Sequence, residues 1–205
     1  MLLELFDVRM SPKPRGALGM AGREVDDYAG LHRPPMRDSG APAHDLTGGG
    51  AIYPDDVYSF QGLQYYGTGD RGLDAQTFAL AQSLRGKPDA MVTIYRAVPA
   101  SSEARIAKLE GYKRDYMRRG KVPEDYSPKT FYDDVNREIA KLQANPSQSI
   151  SAINRGDWVT INRKYAAQHG ESARRGDYTI ISKRVPARDI FTNGDSIHEW
   201  GYDPK

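Results

Sequence analysis

Two charged residues lie in runs that otherwise predict apolar strand faces. Alternate residues of a strand share a face, so Arg96 in the segment AMVTIYRAV lies on a face of valines and isoleucine. In the segment SIHEWGY, Ile197 and Glu199 share a face in the same way. An unpaired guanidinium or carboxylate costs several kcal/mol to bury. Arg96 and Glu199 therefore form either a structural ion pair or the two poles of a polar cleft, and the sequence leaves both interpretations open.

A third group of polar residues lies where a predicted strand runs into a predicted helix, in DWVTINRKYAAQHG. Trp158, Thr160 and Asn162 share a strand face, and the helix supplies Tyr165 and His169. Hydroxyl and amide groups at such a junction are suited to hydrogen-bonding a ligand. The alternative is structural: Asn162 caps the helix, and Thr160 is there because β-branched residues favour strands.

The residue types and motifs do not support thiol chemistry, a metal site or a common phosphate-binding loop. The chain has no cysteine, which excludes a disulfide scaffold, a Cys-based zinc site and a thiol nucleophile. No Walker loop, GxGxxG or GxSxG motif occurs. We expect no metal site, because no metal-ligand spacing relates the four histidines, which are His32, His44, His169 and His198.

The segment Arg105–Lys121 is basic, with seven Lys/Arg against two acidic residues and hence a local charge of +5. Tyr112 and Tyr116 are interleaved with these cations. Such a segment can hold a phosphate backbone or an acidic protein surface. It is equally typical of a solvated helix face.

The overall composition narrows the class of protein. The chain has 205 residues and a formal charge of +2, so its global charge gives no reason to expect a nucleic-acid partner. Its apolar runs are only a few residues long, too short to span a bilayer. The segment MLLELFDVRM has neither a basic n-region nor a small-residue cleavage site, so we expect no signal peptide and a cytoplasmic location.

Glycine and proline divide the chain into two parts. Residues 1–50 hold 8 of the 20 Gly and 5 of the 13 Pro, which predicts an extended arm, with a short strand at Leu2–Val8. Residues 51–205 are expected to form one domain. Two predicted helices, at about 101–148, are interpreted as an insertion or cap on that domain.

The predicted elements do not alternate as strand and helix. Helices are expected to begin at Asp74, at Ser101 or Ser102, at Ser127–Pro128 and at Arg163, the last ending at Gly170. Strands are expected over 90–99, 157–162, 178–185 and 196–202. This order argues against a doubly wound parallel sheet and predicts a mixed α+β fold with a largely antiparallel core.

These segments together resemble the ADP-ribosyltransferase family, and within it the bacterial and phage branch with an Arg–Ser–Glu type site. The resemblance lies in Tyr95-Arg96 on a first strand, Thr160-Ile161-Asn162 before a helix, and Glu199 late in the chain. The strings TIYRAVP, GDWVT, YAAQHG, VPARDIF and HEWGY are also similar to a group of phage and prophage proteins. The likeness covers about residues 88–202 without 101–148, and it implies a split β-sheet core.

The resemblance implies a reaction and a role for each residue. Such enzymes cleave the nicotinamide–ribose bond of NAD through a transition state with oxocarbenium character. Glu199 would stabilise the developing positive charge, Arg96 would contact the NAD phosphates or ribose, and Thr160 would orient both. Tyr165 would supply the aromatic face on which nicotinamide stacks. The implied NAD contacts are Tyr95, Arg96, Thr160, Asn162 and Tyr165.

Two departures from the family pattern bear on the acceptor. Thr160-Ile161-Asn162 stands where the family has Ser-Thr-Ser, and Ile197 stands where arginine-modifying members carry a second acid. A non-arginine acceptor, a nucleic-acid base or NAD glycohydrolase activity is more consistent with this pattern than arginine modification. Tyr65 and Tyr66 are expected to pack beside the NAD site.

Three functions remain open from the sequence. The first is NAD-dependent ADP-ribosyl transfer to a protein or nucleic acid of a bacterial host, with residues 105–121 binding this acceptor. Such an enzyme would be a phage or prophage effector or anti-defence protein. The second is a protein of the same fold that binds NAD or ADP-ribose, or acts as a phage inhibitor or structural protein, without turnover. The third is a nucleic-acid-binding module that uses the basic helix.

Overall fold

The computed structural model of the chain describes residues 34–37, 43–48, 65–119, 127–174, 176–194 and 196–205. Its helices are α1 (Arg71–Leu84), α2 (Ser102–Arg119), α3 (Pro128–Ala144) and α4 (Arg163–Arg174). Its strands are β1 (His44–Asp45), β2 (Met91–Pro99), β3 (Trp158–Val159), β4 (Tyr178–Pro186), β5 (Ile190–Thr192) and β6 (Trp200–Tyr202). The predicted mixed α+β class with antiparallel strands is confirmed.

The described strands form two sheets. β1, β5, β6 and β3 lie side by side in that order, and each neighbouring pair is antiparallel. β2 pairs with β4 in a second, two-stranded sheet. A single antiparallel bridge between Tyr95 of β2 and Thr160, the residue after β3, joins the sheets.

One compact unit of the chain holds the four-stranded sheet and α1. It comprises the described residues within 34–97, 152–169 and 180–205. Its core is apolar and draws on the helix, both sheets and the segments between them: Leu46, Ala81, Leu84, Val92, Ile94, Ile153, Val159, Ile161, Val185, Ala187, Ile190, Ile197, Trp200 and Tyr202.

The other compact unit is built on a pair of helices. It comprises the described residues within 98–151 and 170–179. α2 and α3 pack through their own apolar cluster, which includes Leu109, Phe131 and Val135. Ser127 caps α3 by accepting a hydrogen bond from the N–H of Thr130, as the Ser-Pro pair predicts.

α1 begins one turn earlier than predicted. Asp70, not Asp74, is its N-cap, since the Asp70 carboxylate accepts hydrogen bonds from the N–H groups of Gly72 and Leu73. Asp74 is buried within the first turn. Gly86 follows the helix with a φ of +70°, as expected for the residue after a C-cap.

α4 is longer than predicted and does not end at Gly170. It continues to Arg174, and Gly170 lies inside it. A Cβ on Gly170 would come to 2.5 Å from the ring of Tyr178. Glycine is therefore required there by the close approach of an aromatic ring and not by a helix end.

Two strands are shorter than predicted. The expected strand 157–162 contains only β3 and the bridge at Thr160, because the chain bends at Ile161 toward α4. The expected strand 196–202 contains only β6, so Ile197 and Glu199 precede the strand and do not share one of its faces. The segment 190–192, which carried no strand prediction, forms β5.

Most of the predicted arm at 1–50, including the strand at Leu2–Val8, lies outside the described residues. Two short pieces of it are described, residues 34–37 and 43–48. In the second piece, β1 pairs with β5, and the adjacent Leu46 is fully buried. Among all described residues, no helix combines the length and apolar character needed to cross a bilayer.

Candidate functional site

The three segments that carry the family resemblance lie next to one another. Tyr95 and Thr160 exchange two backbone hydrogen bonds of 2.8 and 2.9 Å. On the other side of β3, Val159 pairs with Trp200, the residue after Glu199. Backbone pairing thus connects three segments that are far apart in the sequence: β2, β3 with the following Thr160, and β6, which Glu199 directly precedes.

Glu199 is held by a tyrosine. The hydroxyl of Tyr165, on α4, donates a hydrogen bond of 2.7 Å to Glu199 Oε1. Glu199 is half-buried. Within the described chain, its other oxygen, Oε2, has no hydrogen bond, so the protein engages only one of the two carboxylate oxygens.

Tyr165 is in turn packed against an imidazole ring. Its ring stacks on that of His198, with 4.5 Å between ring centroids and 10° between planes. Burial, together with the negative charge of Glu199, raises the pKa of the Tyr165 phenol above its usual value. The phenol therefore remains a hydrogen-bond donor throughout the physiological pH range. One face of the predicted nicotinamide platform is occupied by His198.

His198 belongs to a buried polar network that the sequence did not indicate. Its Nε2 lies 2.7 Å from Asp74 Oδ1, and its Nδ1 lies 3.1 Å from the Thr77 hydroxyl. All three residues are buried. Asp74 also accepts hydrogen bonds from the N–H and hydroxyl of Thr68 and the N–H of Gly69.

The protonation of this network follows from the pKa shifts. Burial alone would raise the pKa of Asp74, but its several hydrogen bonds outweigh burial and hold that pKa below the usual value. Burial lowers the pKa of His198, against the opposing effect of Asp74. An ionised Asp74 only accepts hydrogen bonds, so the Nε2 of His198 carries a proton and donates to it. The Nδ1 of His198 contacts the Thr77 hydroxyl, which itself donates to the carbonyl of Leu73.

Asn162 caps α4 and also reaches this network. Its Oδ1 accepts a hydrogen bond from the N–H of Lys164, and its Nδ2 donates to the Thr77 hydroxyl over 2.9 Å. The structural alternative for Asn162 is therefore confirmed, with an added link to α1. The Thr160 hydroxyl accepts from the N–H of Asn162 and, in the described part of the chain, makes no hydrogen bond to Arg96 or Glu199.

Arg96 has a carboxylate partner, but the partner is Asp157. Arg96 Nη1 lies 2.5 Å from Asp157 Oδ1, and the Arg96 side chain is 31% exposed. Residues directly opposite in a ladder share a face, so Tyr95 and Thr160 share one face and Arg96 lies on the other. The interpretation of Arg96 and Glu199 as an ion pair with each other is wrong, because Asp157 neutralises Arg96 and Tyr165 holds Glu199.

The basic segment 105–121, of which residues up to 119 are described, has most of its cations engaged. Arg105 pairs with Asp177 at 2.8 Å, and Lys108 donates to a backbone carbonyl. Lys113 pairs with Glu110, and Arg118 with Asp115. Glu110 and Asp115 are already counted in the local +5 charge, so among these contacts only the pair of Arg105 with Asp177 lowers it.

The two remaining predicted contacts are Tyr65 and Tyr66, and the Tyr66 carbonyl accepts a hydrogen bond of 3.2 Å from the N–H of Ile197. Tyr65 is exposed, and its ring meets Tyr66 edge-on at 6.4 Å between centroids. The rest of the tyrosine-rich stretch 53–66 lies outside the described residues. Where the structure describes the chain, no group of three or more His, Asp or Glu side chains is arranged to hold a metal ion.

Comparison with known proteins returned no relatives: no family model, curated protein or solved structure matches the chain.

Proposed function

We propose that this chain is an ADP-ribosyltransferase-type enzyme that cleaves the nicotinamide–ribose bond of NAD, with Glu199 as the carboxylate that stabilises the transition state. One observation carries the proposal. Three segments that resemble that family in sequence are connected by backbone pairing, Tyr95 with Thr160 and Val159 with Trp200, and the carboxylate of Glu199 accepts a hydrogen bond from a phenol through one of its two oxygens.

Cleavage of the nicotinamide–ribose bond requires mainly that the protein position one carboxylate beside the ribose. The bond between ribose C1′ and the nicotinamide nitrogen breaks, and its electron pair neutralises the cationic nicotinamide as it leaves. Positive charge develops on the ribose, where the charge of Glu199 and a hydrogen bond from a ribose hydroxyl to Oε2 would stabilise it. Water or an acceptor then forms the new bond to C1′ and gives up its proton to the solvent.

The acceptor in this proposal is water or a group other than arginine. Ile197 stands where arginine-modifying members of the family carry a second acid, and it is buried in the core. No second carboxylate is therefore available at that position to activate a guanidinium. A host protein or nucleic acid as acceptor, engaged through the exposed part of α2, stays a prediction, as do a phage origin and a cytoplasmic location.

Arg96 enters the proposal as a separate prediction. To hold the NAD phosphates, its guanidinium must exchange the carboxylate of Asp157 for a phosphate oxygen. If it does, Arg96→Lys raises the KM for NAD, because an ammonium cannot replace the planar two-pronged donor. An unchanged KM assigns Arg96 to the ion pair with Asp157 alone.

The experiment measures nicotinamide release from NAD, with and without a bacterial extract as the source of acceptors. Wild type is compared with Glu199→Gln and with the matched control Glu171→Gln, whose carboxylate accepts a hydrogen bond from Tyr178 elsewhere in the chain. We expect release by wild type and the control only. Calorimetric binding of NAD without release by wild type would instead identify the binding protein without turnover.

A further inference from the structure

We propose that His198 is a positioning residue for Glu199 and acts through the ring of Tyr165. This inference rests on the proposed function for its kinetic consequence, but it concerns an arrangement of side chains that exists without NAD. The sequence assigned no part in the site to His198, Asp74 or Thr77, and for Asp74 it predicted only the start of a helix.

The first step is that the His198 ring cannot turn freely. Both of its nitrogens are engaged, Nε2 with Asp74 at 2.7 Å and Nδ1 with Thr77 at 3.1 Å. Both partners belong to the first two turns of α1. A rotation of the imidazole would leave a buried carboxylate and a buried hydroxyl without this partner, which is costly. The plane of the ring is therefore fixed by α1.

The second step is that the fixed imidazole sets the plane of Tyr165. The two rings are nearly parallel, at 10°, with centroids 4.5 Å apart. The other neighbouring imidazole, His169, is exposed, and its centroid lies 6.5 Å from that of Tyr165 at an angle of 29°. Of these two imidazoles, His198 is the one that is both close and buried, so it is the ring that holds Tyr165.

The third step is that the plane of Tyr165 fixes the direction of its hydroxyl. That hydroxyl reaches Glu199 Oε1 at 2.7 Å, and Glu199 directly follows His198 in the chain. Tyr165 therefore bridges two consecutive residues, one by stacking and one by hydrogen bonding. If the imidazole ring changes its orientation, the Tyr165 hydroxyl no longer points at Glu199 Oε1, and the carboxylate is no longer held where charge develops.

A double-mutant cycle tests this chain of contacts. His198→Gln removes the ring and leaves an amide able to donate to Asp74. We expect kcat for NAD cleavage to fall roughly tenfold with less than about a twofold change in KM, and His169→Gln to leave both unchanged. In a Tyr165→Phe background, His198→Gln should cause little further loss, because the hydroxyl through which it acts is already absent. A double variant whose loss of kcat equals the product of the two single losses would overturn the inference.

A second variant guards against loss of folding. Thr77→Val keeps the shape of the side chain and removes the hydroxyl that contacts Nδ1 of His198 and also accepts from Asn162. We expect kcat to fall about threefold, and again little further loss in the Tyr165→Phe background. A fall of the same factor in both backgrounds would assign Thr77 and His198 to folding alone.

A measurement without NAD separates this inference from the proposed function. In protein labelled with ¹³C at tyrosine Cζ, the Tyr165 signal is identified by its loss in Tyr165→Phe. We expect that signal to stay untitrated in wild type and His169→Gln at a pH where exposed tyrosines ionise, and to titrate at a lower pH than in wild type in His198→Gln or Thr77→Val, because a phenol that has lost its position also loses part of its burial and of its contact with Glu199. Absence of NAD cleavage with this pattern present would refute only the proposed function. A Tyr165 signal unaffected by both variants would refute the positioning role.

Discussion

Removal of the Tyr165 hydroxyl isolates the one hydrogen bond that positions Glu199. Tyr165→Phe keeps the ring and its stack on His198 and deletes only the donor to Glu199 Oε1. A hydrogen bond to a charged group contributes about 1.5–3 kcal/mol. Because Glu199 is half-buried and water can replace part of that bond, the lower end applies, about 1.5 kcal/mol, which corresponds to roughly a tenfold lower kcat.

The assay is nicotinamide release at saturating and at limiting NAD. KM should change by less than about twofold, since the deleted hydroxyl bonds to the enzyme and not to the substrate. The matched control is Tyr178→Phe, which removes a phenol-to-carboxylate bond of 3.0 Å to Glu171 and should leave kcat unchanged. A Tyr165→Phe enzyme with full kcat, or one whose defect lies only in KM, would refute the reasoning.

Two further predictions concern the stability of the unit that carries Glu199. Gly201→Ala places a Cβ onto the carbonyl oxygen of Pro35, and we expect it to lower the free energy of unfolding, measured by urea titration, by about 3 kcal/mol. The control is Gly72→Ala at the start of α1, where a Cβ makes only ordinary contacts and should not lower that free energy. Asp203 is buried, which alone would raise its pKa, but hydrogen bonds from a backbone N–H and from Arg155 outweigh burial and lower it. Its ionised form therefore stabilises the fold above about pH 4, and this contribution is lost as pH falls through the lowered pKa. Asp203→Asn should cost about 1–3 kcal/mol at pH 7 and much less at the acid end, and an equal cost at both ends would contradict this account.

The sequence predicted the elements whose signals are local. Ser127–Pro128 marks the start of α3 because a hydroxyl cap and a proline at the first position act within one turn. β2 was predicted because its β-branched and aromatic residues form one run that ends at Pro99. The mixed antiparallel class followed from the order of these elements.

The contacts that build the candidate site are not local and could not be predicted in the same way. Asp74 has the residue type of a helix cap, which predicted a helix start there, and only the fold brings it to His198, 124 residues later. Arg96 was expected to need a carboxylate, but Asp157 meets it because β3 lies beside β2. The bond from Tyr165 to Glu199 likewise depends on where α4 lies against the end of β6, which no sequence spacing encodes.

The central claim is that Glu199 supports cleavage of NAD, and one ratio tests it most directly. That ratio is the initial rate of nicotinamide release by wild type over that by Glu199→Gln, with equal folding of the two proteins shown by their urea unfolding curves. Loss of a charge that stabilises the transition state predicts a ratio of about 10² or more. A ratio near one, or no release above the uncatalysed rate by folded wild type, would contradict the account.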